Sequence, residues 1–301
     1  MRSDDRQGLM VRAMPAVFVL IWSTGFIVAR YGMPHAPPMK FLAMRYILSA
    51  ACFLAWAVAA RAIWPRGGAQ LGHLAVTGIF MHAGYLGGVW AAVKLGMGAG
   101  LAALLVGLQP VLTAIWVSIR GGKVGARQWA GLALGLAGLL LVVWQKLGFG
   151  EVHLHNVAFA LTALVSITAG TLYQKRFVAP CDVRTANLVQ LLAAFVVTAP
   201  LAWVETETMR WTGPQGSLNV ELAGALAWSV LGLTLGGSSL LYLLIQRGAA
   251  TTVTSLMYLV PPSTAVMAWL LFDEPITLVI VAGVALTAAG VSLVVRQPKP
   301  A

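Results

Sequence analysis

Apolar residues run in stretches of about twenty along this chain, separated by short segments rich in charge, glycine or proline, and roughly 20 apolar residues is what a helix needs to cross a bilayer. Ten windows fit, at about 13–30, 39–60, 71–93, 99–119, 127–144, 155–174, 184–204, 221–246, 250–272 and 276–295. The pattern predicts an all-α integral membrane protein with ten transmembrane helices. The longest connection, Glu205 to Asn219, holds the turn formers Gly213, Pro214 and Gly216 and reads as a loop, not a soluble domain. The first window follows Arg2, Arg6 and Arg12, as a signal peptide would, but it lacks a small-x-small cleavage site and is read as the first span.

The chain also repeats itself. Gly131 to Val143 (GLALGLAGLLLVV) returns as Gly283 to Val295 (GVALTAAGVSLVV), identical at eight of thirteen positions with an offset of 152. The same offset pairs Gly84 with Gly236, Gly96 with Gly248 and Pro110 with Pro262, while an offset of 145 pairs Gly25 with Gly170, Arg30 with Lys175 and Arg45 with Gln190. Self-similarity in an apolar chain predicts two related bundles. The expected organisation is a tail at 1–12, a five-helix repeat at 13–144, a connecting loop at 145–154, a second five-helix repeat at 155–295 and a tail at 296–301.

Composition agrees with the pattern: 59% of the 301 residues are hydrophobic and 10% charged, with a mean hydropathy of +0.83, which excludes an ordinary soluble domain. An excess of 20 Lys and Arg over 9 Asp and Glu is a balance common in nucleic-acid binders, but the charges lie in short loops and form no basic face. They set topology instead. With the N-terminus inside, the cytoplasmic segments hold fourteen (Arg2, Arg6, Arg12, Arg61, Arg66, Arg120, Lys123, Arg127, Lys175, Arg176, Arg184, Arg247, Arg296 and Lys299) and the other side five (Arg30, Lys40, Lys94, Lys146 and Arg210). Both termini are expected in the cytoplasm, and an odd number of spans per half makes the repeat an inverted one. Cys52 lies in an apolar run and Cys181 in a loop, which argues against a disulfide framework.

Several stretches carry a family resemblance: Trp22-Ser23-Thr24-Gly25-Phe26 in the first span, Pro37-Pro38-Met39-Lys40-Phe41-Leu42-Ala43-Met44-Arg45-Tyr46 entering the second, Pro110 and Pro262, and the glycine-rich fifth and tenth spans. Over about residues 13–295 the chain resembles the drug/metabolite transporter superfamily, in its ten-span EamA-type branch. The resemblance implies an inverted-repeat carrier, usually an exporter of amino acids or other small metabolites from the bacterial cytoplasm. One turn departs from the family pattern. The second half has the acidic Phe272-Asp273-Glu274-Pro275 before its last span, where the first half reads Arg120-Gly121-Gly122-Lys123, so a symmetric pair of acids is not implied.

Ionisable groups within spans are functional candidates by default. The windows contain no Asp or Glu except Glu221 at the edge of the eighth, which removes the usual carboxylate proton relay and argues against a strongly cationic solute. His82 lies mid-span in the third window with Tyr85 one turn further on the same face. Trp22 and Tyr258 sit mid-membrane, Tyr258 just before Pro261-Pro262, and each carries a polar atom that needs a partner. Ser238, Ser239 and Tyr242 in the eighth span and Gln109 beside Pro110 add neutral hydrogen-bonding groups. Arg45, six residues into the second span, reads first as a helix anchor and second as a ligand for a solute carboxylate. His73 near the interface reads as snorkelling. The pairs Gly84/Gly88, Gly96/Gly100, Gly131/Gly135 and Gly232/Gly236 read as close helix packing, and Pro110, Pro261 and Pro262 as breaks that bend or unwind their helices near mid-membrane, either lining a cavity or as structural kinks. Trp56, Trp64, Trp116 and Trp129 are assigned to an inner aromatic belt, and Trp90, Trp144, Trp203, Trp211 and Trp269 to an outer one.

The expected protein is a secondary carrier of the bacterial inner membrane. It exports a small amphipathic metabolite, in the first place an amino acid with a hydrophobic or aromatic side chain, by alternating access through a central cavity. Nucleosides, purines or sugars would fit the same neutral aromatic walls. A channel or an intramembrane enzyme is the rival class; no metal-ligand spacing, nucleophile–base pair or buried Asp pair supports the enzyme. The partners are a small-molecule solute and the lipid bilayer, with no cofactor, nucleic acid or obligate protein partner. His82 is the one intramembrane group suited to shuttle a proton, the alternative being facilitated diffusion.

Overall fold

The computed structural model describes residues 3–121, 125–213, 216–240 and 259–295. Among these the chain is helical, joined by short loops, with one isolated antiparallel bridge between Thr212 and Leu218 in the longest connection. In chain order the helices are α1 (Ser3–Gly32), α2 (Pro38–Ala59), α3 (Gly68–Gly78), a π-helical segment (Ile79–Gly84), α4 (Tyr85–Lys94), α5 (Ala99–Val106), α6 (Gln109–Ile119), α7 (Ala126–Gly148), α8 (Leu154–Phe177), α9 (Val183–Val204), α10 (Val220–Ala227), a second π-helical segment (Trp228–Gly237), α11 (Val260–Phe272) and α12 (Leu278–Val295).

Seven of the described segments are long and apolar enough to cross a membrane: Pro38–Ala59, Gly68–Lys94, Ala99–Ile119, Ala126–Gly148, Leu154–Phe177, Val183–Val204 and Val220–Leu240. They fall on the second to eighth apolar windows. Three shorter apolar helices, Ala16–Gly32, Val260–Phe272 and Leu278–Leu293, fall on the first, ninth and tenth. Large apolar side chains occur on both sides of the bundle. Phe18, Phe41, Tyr46, Phe53 and Trp90 are almost fully enclosed, whereas Leu154, Trp203 and Leu278 are more than four-fifths exposed. Helices apolar all round suit lipid outside and protein inside.

Local chemistry sets the helix ends. Pro38 opens α2 at a position where a missing N–H costs nothing, and the Glu205 carboxylate caps it from across the molecule, accepting from Met39 N at 3.0 Å and Lys40 N at 2.9 Å. Asp182 caps α9 and Asn219 caps α10 through their side chains. Pro110 and Pro261 likewise sit in the first turns of α6 and α11. Of the bend and the unwinding expected at the prolines, Pro110 shows the second: it starts a new helix after a break at Gly107-Leu108, and the Pro261 ring packs beside Gly107.

Glycine sets the closest approaches. A Cβ at Gly88 would lie 2.5 Å from the Phe159 carbonyl oxygen and 2.9 Å from the Ala163 Cβ, so α4 and α8 touch through their backbones. Along the most extensive contact in the molecule, α7 against α12, Gly138 abuts Gly283, and Gly290 abuts Gly131 and Gly135. Gly96 does not belong to this set: it closes the turn after α4 with φ +91° and has open space where a side chain would be.

Two other expectations change. Trp90 is 1% exposed and stacks on Phe41 with ring centroids 4.4 Å apart, so it is core and not belt. His73 does not snorkel; its Nδ1 shares a 2.8 Å hydrogen bond with the Tyr173 hydroxyl, and its ring stacks on Phe177.

Candidate functional site

The third and eighth apolar segments lose α-helical winding at places related by the repeat offset. The segments Ile79–Gly84 and Trp228–Gly237 are π-helical, and adding the repeat offset of 152 to the first lands inside the second. A π turn adds a residue to the helical turn, shifts the side chains that follow and frees backbone groups, and such turns cluster at functional sites. Here the Tyr46 hydroxyl donates to the His82 carbonyl at 2.8 Å and the Thr234 hydroxyl to the Ser229 carbonyl at 2.7 Å.

A cavity of about 720 Å³, counting its open mouth, lies between these segments. That size is within the range of small-molecule sites. Trp22, Gly25 and Phe26 of α1 form one wall and Arg45 of α2 another. Met81, His82, Tyr85, Leu86, Val89 and Trp90 line it from the third span, Ile167 from α8, and Leu233, Thr234 and Ser238 from the eighth span. Gly25 has only Leu233 methyls nearby, at 3.7 and 3.9 Å, and its missing side chain leaves room in the wall.

Polar groups are few and cross-linked. Arg45 is 6% exposed; its guanidinium donates to Thr234 Oγ1 from Nε at 3.3 Å and from Nη2 at 3.2 Å, and lies 6.0 Å from the centre of the Trp90 ring. Gln190 of α9 in turn lies against the third span, its backbone packed on Gly78. Under the two repeat offsets Gln190 corresponds to Arg45 and Thr234 to His82, so each half's second span reaches the other half's third span. Among the described residues no ion pair reaches Arg45. The cavity therefore carries an uncompensated cation.

Of the residues singled out from sequence, Trp22, Arg45, His82, Tyr85 and Ser238 meet at this cavity. Ser239 does not line it, since its hydroxyl turns back onto the Leu235 carbonyl of its own helix. Gln109 is also elsewhere, donating to Thr171 Oγ1 at 2.9 Å between α6 and α8. Tyr242 and Tyr258 lie outside the described residues. Sequence reasoning missed Thr234, although it sits at the repeat position of His82, and it misassigned Trp90. The acids need correction too. Glu274 is 8% exposed and Glu151 half-buried, both just outside the apolar windows, so buried carboxylates exist but stand away from the cavity.

The model of the EamA-like transporter family matches residues 13–144 and again 156–296. The chain belongs to that family. It is thus a member of a membrane-transporter family. A Salmonella typhimurium protein described as a "Probable amino-acid metabolite efflux pump" is 28% identical over 159 residues, 52% of this chain and 51% of that protein, so this chain spans about half the length of that relative. A Bacillus subtilis protein, the uncharacterised transporter YvbV, is 24% identical over 94% of this chain and 91% of its own length. The inner membrane transporter YedA of Escherichia coli K12, also uncharacterised, is 27% identical over 60% of this chain and 59% of its own length. Among solved structures, a crystal structure of another protein is similar with a TM-score of 0.63 at 19% identity, over 93% of this chain and 95% of the other, a likeness of fold.

Proposed function

We propose that the chain is a secondary carrier exporting a small carboxylate-bearing metabolite with an apolar or aromatic body, an amino acid first of all, across the bacterial inner membrane. The observation that carries this reading is Arg45, a guanidinium 6% exposed, facing an aromatic cavity and held by one hydroxyl. A buried cation without a counter-charge is destabilising by several kcal/mol. A solute carboxylate supplies that charge and suits the planar donor fork. Trp22, Phe26, Tyr85 and Trp90 then enclose the apolar body, with His82 and Thr234 at its polar edge. The name of the Salmonella relative points the same way.

Two inverted five-span repeats, with both termini cytoplasmic and halves that rock around a fixed site, complete the reading. The paired π segments, the crossed contacts of Arg45 and Gln190, and a family match that occurs twice support it.

The test is competition. Purified protein in liposomes should release labelled phenylalanine, unlabelled phenylalanine should compete, and phenylalaninamide, which lacks the carboxylate, should not. Equal competition by the amide removes the carboxylate contact; release no faster than from protein-free vesicles removes the amino-acid assignment.

A further inference from the structure

A second cluster of charge lies away from the cavity, where α7 ends, α8 begins and α11 turns into α12. Lys146, 3% exposed, donates from Nζ to Glu151 Oε1 at 2.7 Å and stands 3.7 Å from Glu274 Oε2. Glu274 Oε1 accepts from the N–H of Ala99, the first residue of α5, at 2.9 Å. The charges do not balance, because two carboxylates face one ammonium.

The two remaining oxygens are the informative ones. Glu151 Oε2 is buried with no hydrogen-bond partner, and Glu274 Oε2 has the longer lysine contact alone. Both aim at one point: a Cβ on Gly98 would lie 2.5 Å from the Glu151 oxygen and 2.7 Å from the Glu274 oxygen. Among the described residues no further charge faces that point from the elements packed around it. At this place α5 offers backbone and Gly100, α12 offers Ile280 and Val284, Asp273 and His153 are exposed, and Arg30 of α1 lies over the Phe272 ring. Two carboxylate oxygens converging without a donor are repulsive in a low-dielectric setting. One hydrogen between them removes both the repulsion and the unmade bond.

We propose that Glu151 and Glu274 hold a single proton between their Oε2 atoms, and that this cluster is the coupling-ion site of the carrier, which rests on the carrier reading above. With the proton bound, the hydroxyl of one carboxyl donates to the other carboxylate, and the proton together with Lys146 neutralises both acids. When the cluster parts, water reaches it, the proton leaves to that water, and the two carboxylates stand charged and hydrated. The place fits such a closure. Lys146 sits in the last turn of α7, the helix that closes the first repeat, and Glu274 lies in the second repeat, and α5 and α11 pack together beneath them through Gly100 and Ala265. Both of those helices also contact α1, which carries Trp22 of the cavity wall, so opening at the cluster has a direct route to the solute. A buried carboxylate pair at a turn supplies the relay that the span windows lacked, and it takes over the role that sequence offered to His82.

Infrared spectroscopy of the full-length protein in lipid tests the proton itself. At neutral pH the wild type should show a protonated-carboxyl stretching band, absent from Glu151→Gln and from Glu274→Gln and retained in Glu207→Gln, a surface acid. Absence of the band in the wild type, or its persistence in both cluster variants, overturns the proposal. Should a cluster variant fail to fold, carbon-13-labelled glutamate in the wild type decides: the band must move on labelling, and a band that stays is not glutamate. In liposomes, a pH gradient should speed phenylalanine release by the wild type and leave Glu151→Gln unaffected; equal response in both rejects the coupling. Failure of phenylalanine to move at all counts against the solute assignment alone, since the infrared band still decides the proton site.

Discussion

The Thr287 hydroxyl donates to the carbonyl oxygen of Gly135 at 3.3 Å, and the two residues occupy the same position in the two copies of the repeated segment, 152 residues apart. Such a contact between counterparts is what the proposed two-fold relation of the repeats would leave along its axis. The flanking contacts correspond as well: a methyl at Gly138 would strike the Gly283 carbonyl, and one at Gly290 the Gly131 carbonyl. Gly138→Ala and Gly290→Ala should each therefore destabilise by about 1–3 kcal/mol, the usual effect of overpacking. Both should lower Tm in detergent by similar amounts. Gly72→Ala, with nothing within 4 Å, is the control that should not. An unchanged Tm for Gly138→Ala would mean that α7 and α12 can separate without loss.

Arg45 is the sharpest lever on recognition. Arg45→Met keeps an apolar stem beside Trp90 and removes the donors, so phenylalanine should compete for the cavity more weakly by about 1.5–3 kcal/mol, the worth of hydrogen bonds to a charged group. Arg45→Lys should recover only part of this, because a point charge lacks the fork. Competition assays in liposomes with equal protein content read both, and wild-type competition in Arg45→Met would show the guanidinium to be a helix anchor.

Much of the architecture was legible because the bilayer imposes one length and one polarity on every span, and the described helices fall on the ten apolar windows. Trp22, His82 and Tyr85 were legible as cavity groups for a related reason: a polar atom at mid-depth needs a partner. Burial at the ends of spans was not. Trp90 stands where a belt residue would, and its enclosure by Phe41 depends on how α2 meets α4. Glu274 and Glu151 follow apolar runs in sequence as any loop acid does, and only the fold brings Lys146 between them. Arg45 looked like an anchor because its lack of an acidic partner is a three-dimensional fact.

Outside the spans, Asp182 shows how an end is secured. Its carboxylate takes the Arg184 guanidinium at 2.9 Å and 2.6 Å and the Arg184 N–H at 3.0 Å, and these bonds, the side-chain pair first, hold its pKa below the usual aspartate value. A depressed folded pKa means stabilisation that is complete above the unfolded value of about 3.9 and lost as pH falls through the folded one. Thermal unfolding should therefore show an acid-side decline below about pH 4 that is smaller in Asp182→Asn, which still caps the helix. Asp182→Ala should lose a further 0.5–2 kcal/mol or so at neutral pH, the value of an N-cap. An identical acid decline in wild type and Asp182→Asn would assign it to other groups.

The cavity itself predicts a pattern that separates its lining residues from polar groups placed elsewhere. Trp22→Ala, His82→Ala, Tyr85→Ala and Thr234→Ala each remove a wall or polar contact, so each should weaken recognition of phenylalanine by roughly 1–3 kcal/mol, about the cost of one buried hydrogen-bonding or stacking group. Ser239→Ala and Gln109→Ala should leave it unchanged, because those side chains bond Leu235 and Thr171 away from the cavity. Trp90 needs a gentler change. Truncating a tryptophan packed on Phe41 would cost about 3–5 kcal/mol of stability, whereas Trp90→Phe keeps the stack and trims the wall, altering solute preference at normal expression. Trp203→Ala, 89% exposed at the end of α9, is the negative control. Measured efflux kinetics that separate the first four from Ser239 and Gln109 would tie solute binding to the space between the π segments. Equal effects at all six positions would mean that substitution acts through general packing of the bundle.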